Sequence, residues 1–454
     1  MSAQLSAQRP QSESSNGYLS LQQILDSARQ NNIAIRNAQR NIESAKQQRK
    51  EAFTKYFPNV NATGLWFNAN KGTAEKTLHP SEMISPETGA ALASQFSPEM
   101  MAALSGPVNI SMMKNGTIAA VTATQPVFAG GQIINGNRLA KVGEDVSRLQ
   151  MRLSENEVEK TAEQYFWQIV SLQEKMKTVD AVEAMLTDIH KDVEVAVRAG
   201  VVLRNDLLQV QLRQNEVESQ KLKLQNGISI VKQLLGQYCG LTPRQSSDNE
   251  AGTYTFELVV PSDVMEDKSL PTPVAEEARV RLTPEYQLLG KQIEATDLQR
   301  KMELGKHLPT IAVGAGYNYH NLLDNNHSFG MVFATVSVPI SDWWGGSYAL
   351  KRKKSEYQKA VDEQHDKEEL LKIRAQNAWN NVVEARQQLQ IARRGIEQAD
   401  ENLRLYRDYY RAGTCKMSDL LEAQMLYQQS RDKQTDAYAD YQIRLLEYRQ
   451  SVGQ

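Results

Sequence analysis

Residues 411–424 read Arg411-Ala412-Gly413-Thr414-Cys415-Lys416-Met417-Ser418-Asp419-Leu420-Leu421-Glu422-Ala423-Gln424. The chain has already said nearly the same thing once: Arg198-Ala199-Gly200-Val201-Val202-Leu203-Arg204-Asn205-Asp206-Leu207-Leu208-Gln209-Val210-Gln211. Both copies carry Arg-Ala-Gly, then Asp-Leu-Leu beginning six residues after the Gly, then a Gln at one shared offset. A long helical pattern runs into each Gly, and another begins beyond it. Gly just past a helix end is a C-cap signal, and Asn205 or Ser418 ahead of an acid is an N-cap signal. The motif predicts the tip of a helical hairpin, used twice about 213 residues apart.

Outward from the tips, nothing interrupts helix between about Gly131 and Arg198. Leu139, Val142, Val146, Leu149 and Leu153 step by three and four, as do Ile169, Leu172, Met176 and Val179. The second long helix, from about Gly346 to Arg411, repeats the pattern with Leu389, Ala392, Ile396, Ala399, Leu403, Tyr406 and Tyr410. This is coiled-coil spacing. Shorter helices leave the tips, Asn205 to Tyr238 and Ser418 to about Tyr448. Two more end at a proline, one from about Ser20 to Tyr56 before Phe57-Pro58, one from about Pro273 to His307 before Leu308-Pro309.

Each proline leads into a pair of strands. Asn59–Phe67 and Ile118–Val127 form the first pair, with a long loop at 68–115 whose Ser85-Pro86-Glu87 and Ser97-Pro98-Glu99 predict two small helices. Ile311–His320 and Phe329–Ile340 form the second, around a short turn. In the third strand Ile311, Val313, Ala315, Tyr317 and Tyr319 share one face, and Ala312, Gly314, Gly316 and Asn318 the other. Large apolar residues opposite small ones suit a wall with lipid outside and a lumen inside. Phe128-Ala129-Gly130-Gly131 and Trp343-Trp344-Gly345-Gly346 open the two long helices in parallel fashion.

The chain therefore reads as an internal duplication. Residues 1–17 are a polar, disordered lead; 18–239 are a first repeat with its tip at 198–206; 240–275 are a linker; 276–454 are a second repeat with its tip at 411–422. The long helices hold about 65–68 residues, roughly 100 Å at ~1.5 Å per residue, and two short helices end to end match each of them. The expected form is a rod with the linker at mid-height, tips at one end and four strands at the other. At that spacing Cys239 and Cys415 lie roughly 50 Å apart, far beyond the ~7 Å reach of a disulfide, which makes them free thiols.

Composition narrows the function. The 454 residues are 41 % hydrophobic, only 7 % aromatic and 23 % charged, with a formal net charge of −2. That balance excludes the broad basic footprint of a nucleic-acid binder. No stretch approaches the ~20 apolar residues of a membrane-spanning helix, so any crossing is made by strands. Lipid forbids open sheet edges, and four strands close too small a circle for a pore, so several chains must share one barrel.

The duplicated plan, the proline-led strands after Pro58 and Pro309, the Gly-Gly helix starts and the two tip motifs together resemble the TolC family of outer-membrane efflux proteins, over about residues 18–450. The resemblance implies a mainly α protein with a β-barrel part: a homotrimer with a twelve-stranded barrel in the bacterial outer membrane and a helical tunnel across the periplasm. It implies a passive exit duct, with Arg198, Ala199, Gly200, Arg411, Ala412 and Gly413 at tips docked by a periplasmic adaptor and an inner-membrane transporter of the RND or ABC class. It places Asp419 and Glu422 at the narrowest point of the pore. Residues three apart share a helix face, and threefold symmetry would make two stacked carboxylate rings that attract cations; the alternative is a solvated helix face whose acids favour the helix dipole. Asp206 matches a residue that accepts a hydrogen bond from an aromatic hydroxyl to hold the pore shut, and Tyr410 stands where that aromatic would be. The family's basic latch residue two positions after the tip Gly is here Cys415.

A duct for protein or polysaccharide secretion fits the same plan, and a soluble periplasmic coiled-coil scaffold is the reading from a different class. An enzyme is disfavoured, since no Ser-His-Asp or Cys-His arrangement stands out and the Gly-Gly pairs lack the Lys of a phosphate loop. No cofactor is expected. His320 and His327 flank the turn between the last two strands but have no Cys or acidic support, so no metal site is expected there. Trp66, Tyr317, Tyr319 and Phe329 could form an interfacial aromatic girdle or ordinary strand packing.

Overall fold

The computed structural model describes residues 18–70, 74–78, 97, 100, 108–112, 115–241, 254, 256–259, 279–321, 326–340 and 342–453. The chain divides into two compact units, each drawing on both sequence repeats: one takes the described parts of 1–46, 142–294 and 358–454, the other 47–141 and 295–357. The N-terminal lead, the first small helix of the 68–115 loop and most of the 240–275 linker lie outside the described residues; of the second small helix Ser97 and Met100 are described, with the Met100 amide donating to Ser97 Oγ at 3.4 Å.

In the first unit the chain begins with β1 (Tyr18–Leu19), α1 (Leu21–Asn31) and α2 (Ile33–Thr54). Ser20 starts α1 through a capping box: the Gln23 amide donates to Ser20 Oγ at 3.3 Å, and the Ser20 amide donates to Gln23 Oε1 at 2.9 Å. The single helix expected from Ser20 to Tyr56 is broken at Asn32. That residue is extended (ψ 135°); its side-chain amide donates to Tyr238 O at 3.0 Å and its Oδ1 accepts from Ala34 N at 2.8 Å. Asn competes with helix by bonding the backbone locally, and here a distant carbonyl rewards the break.

The long helices α3 (Gln132–Arg198) and α4 (Arg204–Tyr238) flank the first tip, and α6 (Asp342–Arg411) and α7 (Met417–Ser451) flank the second. Between them lie β6 (Glu257–Leu258) and α5 (Pro284–Lys306). Pro273 itself lies outside the described residues; residues 279–280 are helical, the chain turns at 281–283, and α5 then starts at Pro284, where the Thr283 hydroxyl accepts from Tyr286 N at 3.4 Å and Pro occupies the first helical position. The short strand β6 pairs in parallel with β1. One core gathers Ile24, Ala28 and Ile35 with Phe166 and Ile169 of α3, Leu235 of α4 and Leu258 of β6. Another joins Val382 and Leu389 of α6 to Tyr441 and Tyr448 of α7. The apolar stripes at three-and-four spacing are thus covered by neighbouring helices. Both cysteines are free.

The second unit is built on an antiparallel sheet ordered β2-β5-β7-β8, with β2 (Asn59–Asn68), β5 (Asn115–Ala129), β7 (Thr310–Asn321) and β8 (Asn326–Ser337). Its register assigns every side chain to a face. Val60 and Ala62 of β2, Val121 and Ala123 of β5, Ile311, Val313 and Tyr317 of β7, and Val332 and Val336 of β8 share one face. That face is open, with Val332 86 % and Trp66 71 % exposed. The opposite face is mixed: Asn59, Asn61, Thr63, Thr122, Thr124, Gly314, Gly316, Asn318 and Thr335 share it with Leu65, Ile118, Phe329, Met331 and Phe333. A predominantly apolar face backed by one richer in polar and small residues fits a barrel wall. Trp66, Tyr317 and Tyr319 lie on the apolar face, but Phe329 pairs with Asn318 and lies on the polar one, so it does not belong with a girdle of the other three. A second correction falls in the 68–115 loop, where β3 (Ala74–Leu78) and β4 (Val108–Met112) form an antiparallel pair.

The two Gly-Gly helix starts are not equivalent. Gly130 and Gly131 turn the chain from β5 into α3 with φ of 58° and 77°, whereas Gly345 and Gly346 lie inside α6. A Cβ on Gly130 would meet the Gly305 carbonyl oxygen of α5 at 2.1 Å, and one on Gly345 would meet nothing within 4 Å. Among the described residues no helix is long and apolar enough to cross a membrane. Gly130→Ala combines left-handed backbone strain with a backbone clash and is expected to lower the stability severely, by ~2 kcal/mol or more. Gly345→Ala is expected to leave it unchanged or raise it by up to ~1 kcal/mol, from helix propensity alone. Thermal unfolding of the two variants against the parent checks the contrast.

Candidate functional site: the paired tips

Both tips are built by the same backbone chemistry. Gly200 and Gly413 take φ of 74° and 72°, a conformation open to Gly at no steric cost. In the first tip Gly200 N donates to Val197 O and Val201 N donates to Ala196 O; in the second Gly413 N donates to Tyr410 O and Thr414 N to Tyr409 O. This is the Schellman pairing, which satisfies the last carbonyls of α3 and α6. The helices that leave start one or two residues earlier than the N-cap signals suggested, at Arg204 and Met417, so Asn205 and Ser418 fall in the first turn instead of capping it. The acid of each copy, Asp206 or Asp419, therefore occupies the third helical position, where a negative charge favours the helix dipole. Asp419 goes further: its Oδ2 accepts from the Lys416 amide at 3.2 Å and its Oδ1 from Ser418 Oγ at 3.1 Å.

A shared apolar core holds the tips side by side. Val193 of α3, Val210 of α4, Leu403 of α6, and Met417, Leu420 and Ala423 of α7 are buried together, with Leu207 and Tyr410 packed against them. Next to this core lies a polar cluster that the sequence reading missed. Gln424 is fully buried; Arg213 Nε of α4 donates to its Oε1 at 3.0 Å, and Arg213 Nη2 donates to Gln428 Oε1 at 3.0 Å. Gln428 Nε2 in turn donates to Gln220 Oε1 at 2.9 Å, and the guanidinium meets Glu216 at 2.9 Å. The signal was present, since Gln424 and Gln428 continue the buried face set by Met417 and Leu420. A glutamine at a core position needs a partner, and the planar fork of an arginine supplies one.

Outside that core the tips differ. The first presents apolar side chains to solvent, Val201 at 79 % and Leu203 at 74 % exposure. The second is tied back: Thr414 Oγ1 donates to Tyr409 O at 3.0 Å and the Cys415 thiol to Tyr406 O at 3.6 Å. The residue standing where the family places a base thus turns inward onto α6, and burial, with the nearby Asp419 charge, pushes its thiol pKa up. Glu422 is exposed and Asp419 partly buried. Arg198, Ala199, Gly200, Arg411, Ala412 and Gly413 are all exposed. Arg198 pairs with Glu194, and that hydrogen bond, reinforced by the Arg charge, holds the Glu194 carboxyl below its usual range.

The expected hydrogen bond between Tyr410 and Asp206 is not formed. The Tyr410 hydroxyl is shielded from solvent and has no hydrogen-bond partner. Burial, and secondarily the charge of Asp206, raise its pKa, so the two residues are neighbours that interact through the field without a bond. The reason is packing: Tyr410 is drawn into the apolar core of the tips. Among the described residues no group of three or more His, Cys, Asp or Glu is placed to hold a metal.

Arg213→Ala is expected to strand Gln424 and Gln428 and to destabilise the fold by ~1–3 kcal/mol. Arg213→Lys should recover only part of this, because an ammonium cannot span both acceptors. Tyr410→Phe should leave stability unchanged or slightly higher, since it removes a hydroxyl buried without a partner. Chemical denaturation midpoints of the three variants decide these points.

With that geometry in place, comparison with known proteins is informative. Residues 290–454 match the family described as outer membrane efflux protein. Among solved structures, the chain is similar to CusC, at 13 % identity and a TM-score of 0.75, covering 97 % of this chain and 94 % of that one. It is similar to VceC of Vibrio cholerae, an outer membrane protein, at 12 % identity and 0.70 over 95 % and 96 %. It is similar to the open-state MtrE outer membrane channel of Neisseria gonorrhoeae at 13 % and 0.70 over 95 % and 88 %. No curated protein sequence matches the chain. The region 290–454 thus carries the outer membrane efflux protein signature, and the chain has the fold of these outer-membrane proteins.

Proposed function

We propose that this chain is one protomer of a trimeric outer-membrane duct, the passive exit of a tripartite efflux system that reaches into the periplasm. The observation that carries the reading is the sheet: its register sets a predominantly apolar face against one richer in polar and small residues, and its outer strands β2 and β8 each have a neighbour on one side only. In lipid an open edge costs several kcal/mol per unpaired backbone group, so copies must join edge to edge. Three copies of four strands make a twelve-stranded barrel with the apolar face outward. The outer membrane efflux protein signature over 290–454 supports the placement.

The tips are the proposed docking end. Val201 and Leu203 offer exposed apolar contacts of the kind an adaptor hairpin can cover, between Gly200 and the start of α4. An inner-membrane transporter of the RND or ABC class would act through that adaptor. Asp419 and Glu422 are proposed as the two acidic rings of the constriction, with Asp419 also capping its own helix. Tyr410 contributes packing to the tip, and Asp206 contributes charge beside it.

Purified in detergent, the chain should migrate as a trimer and conduct ions in planar bilayers; a protein that stays soluble and monomeric without detergent overturns the duct. Asp419→Asn with Glu422→Gln removes both charges while keeping hydrogen-bonding groups at each position. This pair should weaken block by multivalent cations about tenfold, ~1.4 kcal/mol. Unchanged block would remove the two carboxylates from the constriction. Val201→Asp with Leu203→Asp should leave conductance intact and abolish co-purification of the adaptor after crosslinking in cells, and unchanged crosslinking would place docking elsewhere.

A further inference from the structure

The hairpin formed by β7 and β8 brings two imidazoles together. His320 and His327 are directly opposed in the register and therefore on one face of the sheet, the face that also carries Asn318 and Gly316. Their ring centres are 5.5 Å apart, with planes inclined by 34°. Two imidazoles bound to one ion through ~2 Å metal–nitrogen bonds at a tetrahedral angle have ring centres ~5 Å apart. The pair is thus within a small side-chain adjustment of chelating geometry. His320 Nδ1 is shielded from solvent and has no hydrogen-bond partner, an unmet requirement that a ligand would satisfy. Phe329 stands 6.3 Å from one ring and 6.4 Å from the other, an apolar neighbour that limits where the rings can swing.

We propose that His320 and His327 form a two-histidine chelate for a borderline divalent transition-metal ion, with water completing the coordination. Imidazole favours Cu(II), Ni(II) and Zn(II), with Cu(II) bound tightest, and discriminates against Mg(II) and Ca(II), which prefer oxygen ligands. Among the described residues no third His, Cys, Asp or Glu joins the pair, so the site keeps open positions and exchanges its ion readily. In a closed barrel this face is lumenal, which would put a dication at the mouth of the duct; that consequence rests on the duct reading, and the binding itself does not.

The test is Cu(II) titration of the full-length, detergent-solubilised protein after removal of any affinity tag, read by calorimetry and by electron paramagnetic resonance. One Cu(II) per chain with nitrogen hyperfine coupling is expected, insensitive to millimolar Mg(II). His320→Ala or His327→Ala should each weaken binding at least tenfold, and the double variant should abolish it. The control Tyr319→Phe, on the opposite face, should bind as the parent does. Equal stoichiometry and affinity in the double variant, or a signal without nitrogen coupling, overturns the site. One ion per three chains overturns the two-histidine chelate in favour of a site shared on the symmetry axis. Planar-bilayer conductance with Cu(II) is read separately: block in the parent and none in the double variant extends the site to the duct, while binding without block leaves the site standing and argues against its lumenal position.

Discussion

Two glycines in the left-handed conformation, Gly200 and Gly413, are the constraint on which the helical part of this protein depends. Each stops a helix of about 70 residues in a single step and hands the chain to a helix that returns. A residue with a Cβ would resist that conformation, and the last carbonyls of α3 and α6 would lose their Schellman partners. With the turns in place, the seams of α3 and α6 meet α4 and α7. The core around Val193, Val210, Leu403 and Leu420 forms directly behind the tips.

Duplication supplied two such turns, and tertiary packing made them different. One exposes Val201 and Leu203, suited to contact with another protein. The other binds itself back through Thr414 and Cys415 and uses Asp419 to cap α7. Between them, Arg213 reaches from the first repeat to Gln424 and Gln428 of the second. Apolar seams alone tolerate sliding by a helical turn; a buried guanidinium that must meet two particular amides does not. The polar cluster therefore specifies register where the hydrophobic cores specify only proximity.

The sheet poses the complementary problem. One face is predominantly apolar and open while the other is richer in polar and small residues, and the outer strands β2 and β8 each have a neighbour on one side only. The β7–β8 hairpin of that sheet also opposes His320 and His327 across its ladder.

Much of this was legible in the residues. The glycine C-caps at Gly200 and Gly413, the three-and-four seams and the alternation of Ile311 to Tyr319 depend on interactions within a few positions along the chain, and that chemistry follows from residue order alone. What the order could not decide is which side chains meet across long separations. Gly130 against Gly305, Asn32 breaking its helix toward Tyr238, and Arg213 bridging to Gln424 each join residues of different elements. The Tyr410 hydroxyl, expected to reach Asp206, is instead buried without a partner. The β3–β4 pair escaped notice because its strands are nearly thirty residues apart in sequence. Local chemistry determined the elements and their turns; only close packing, which rewards whichever distant groups fit, decided the contacts that make the two repeats unequal.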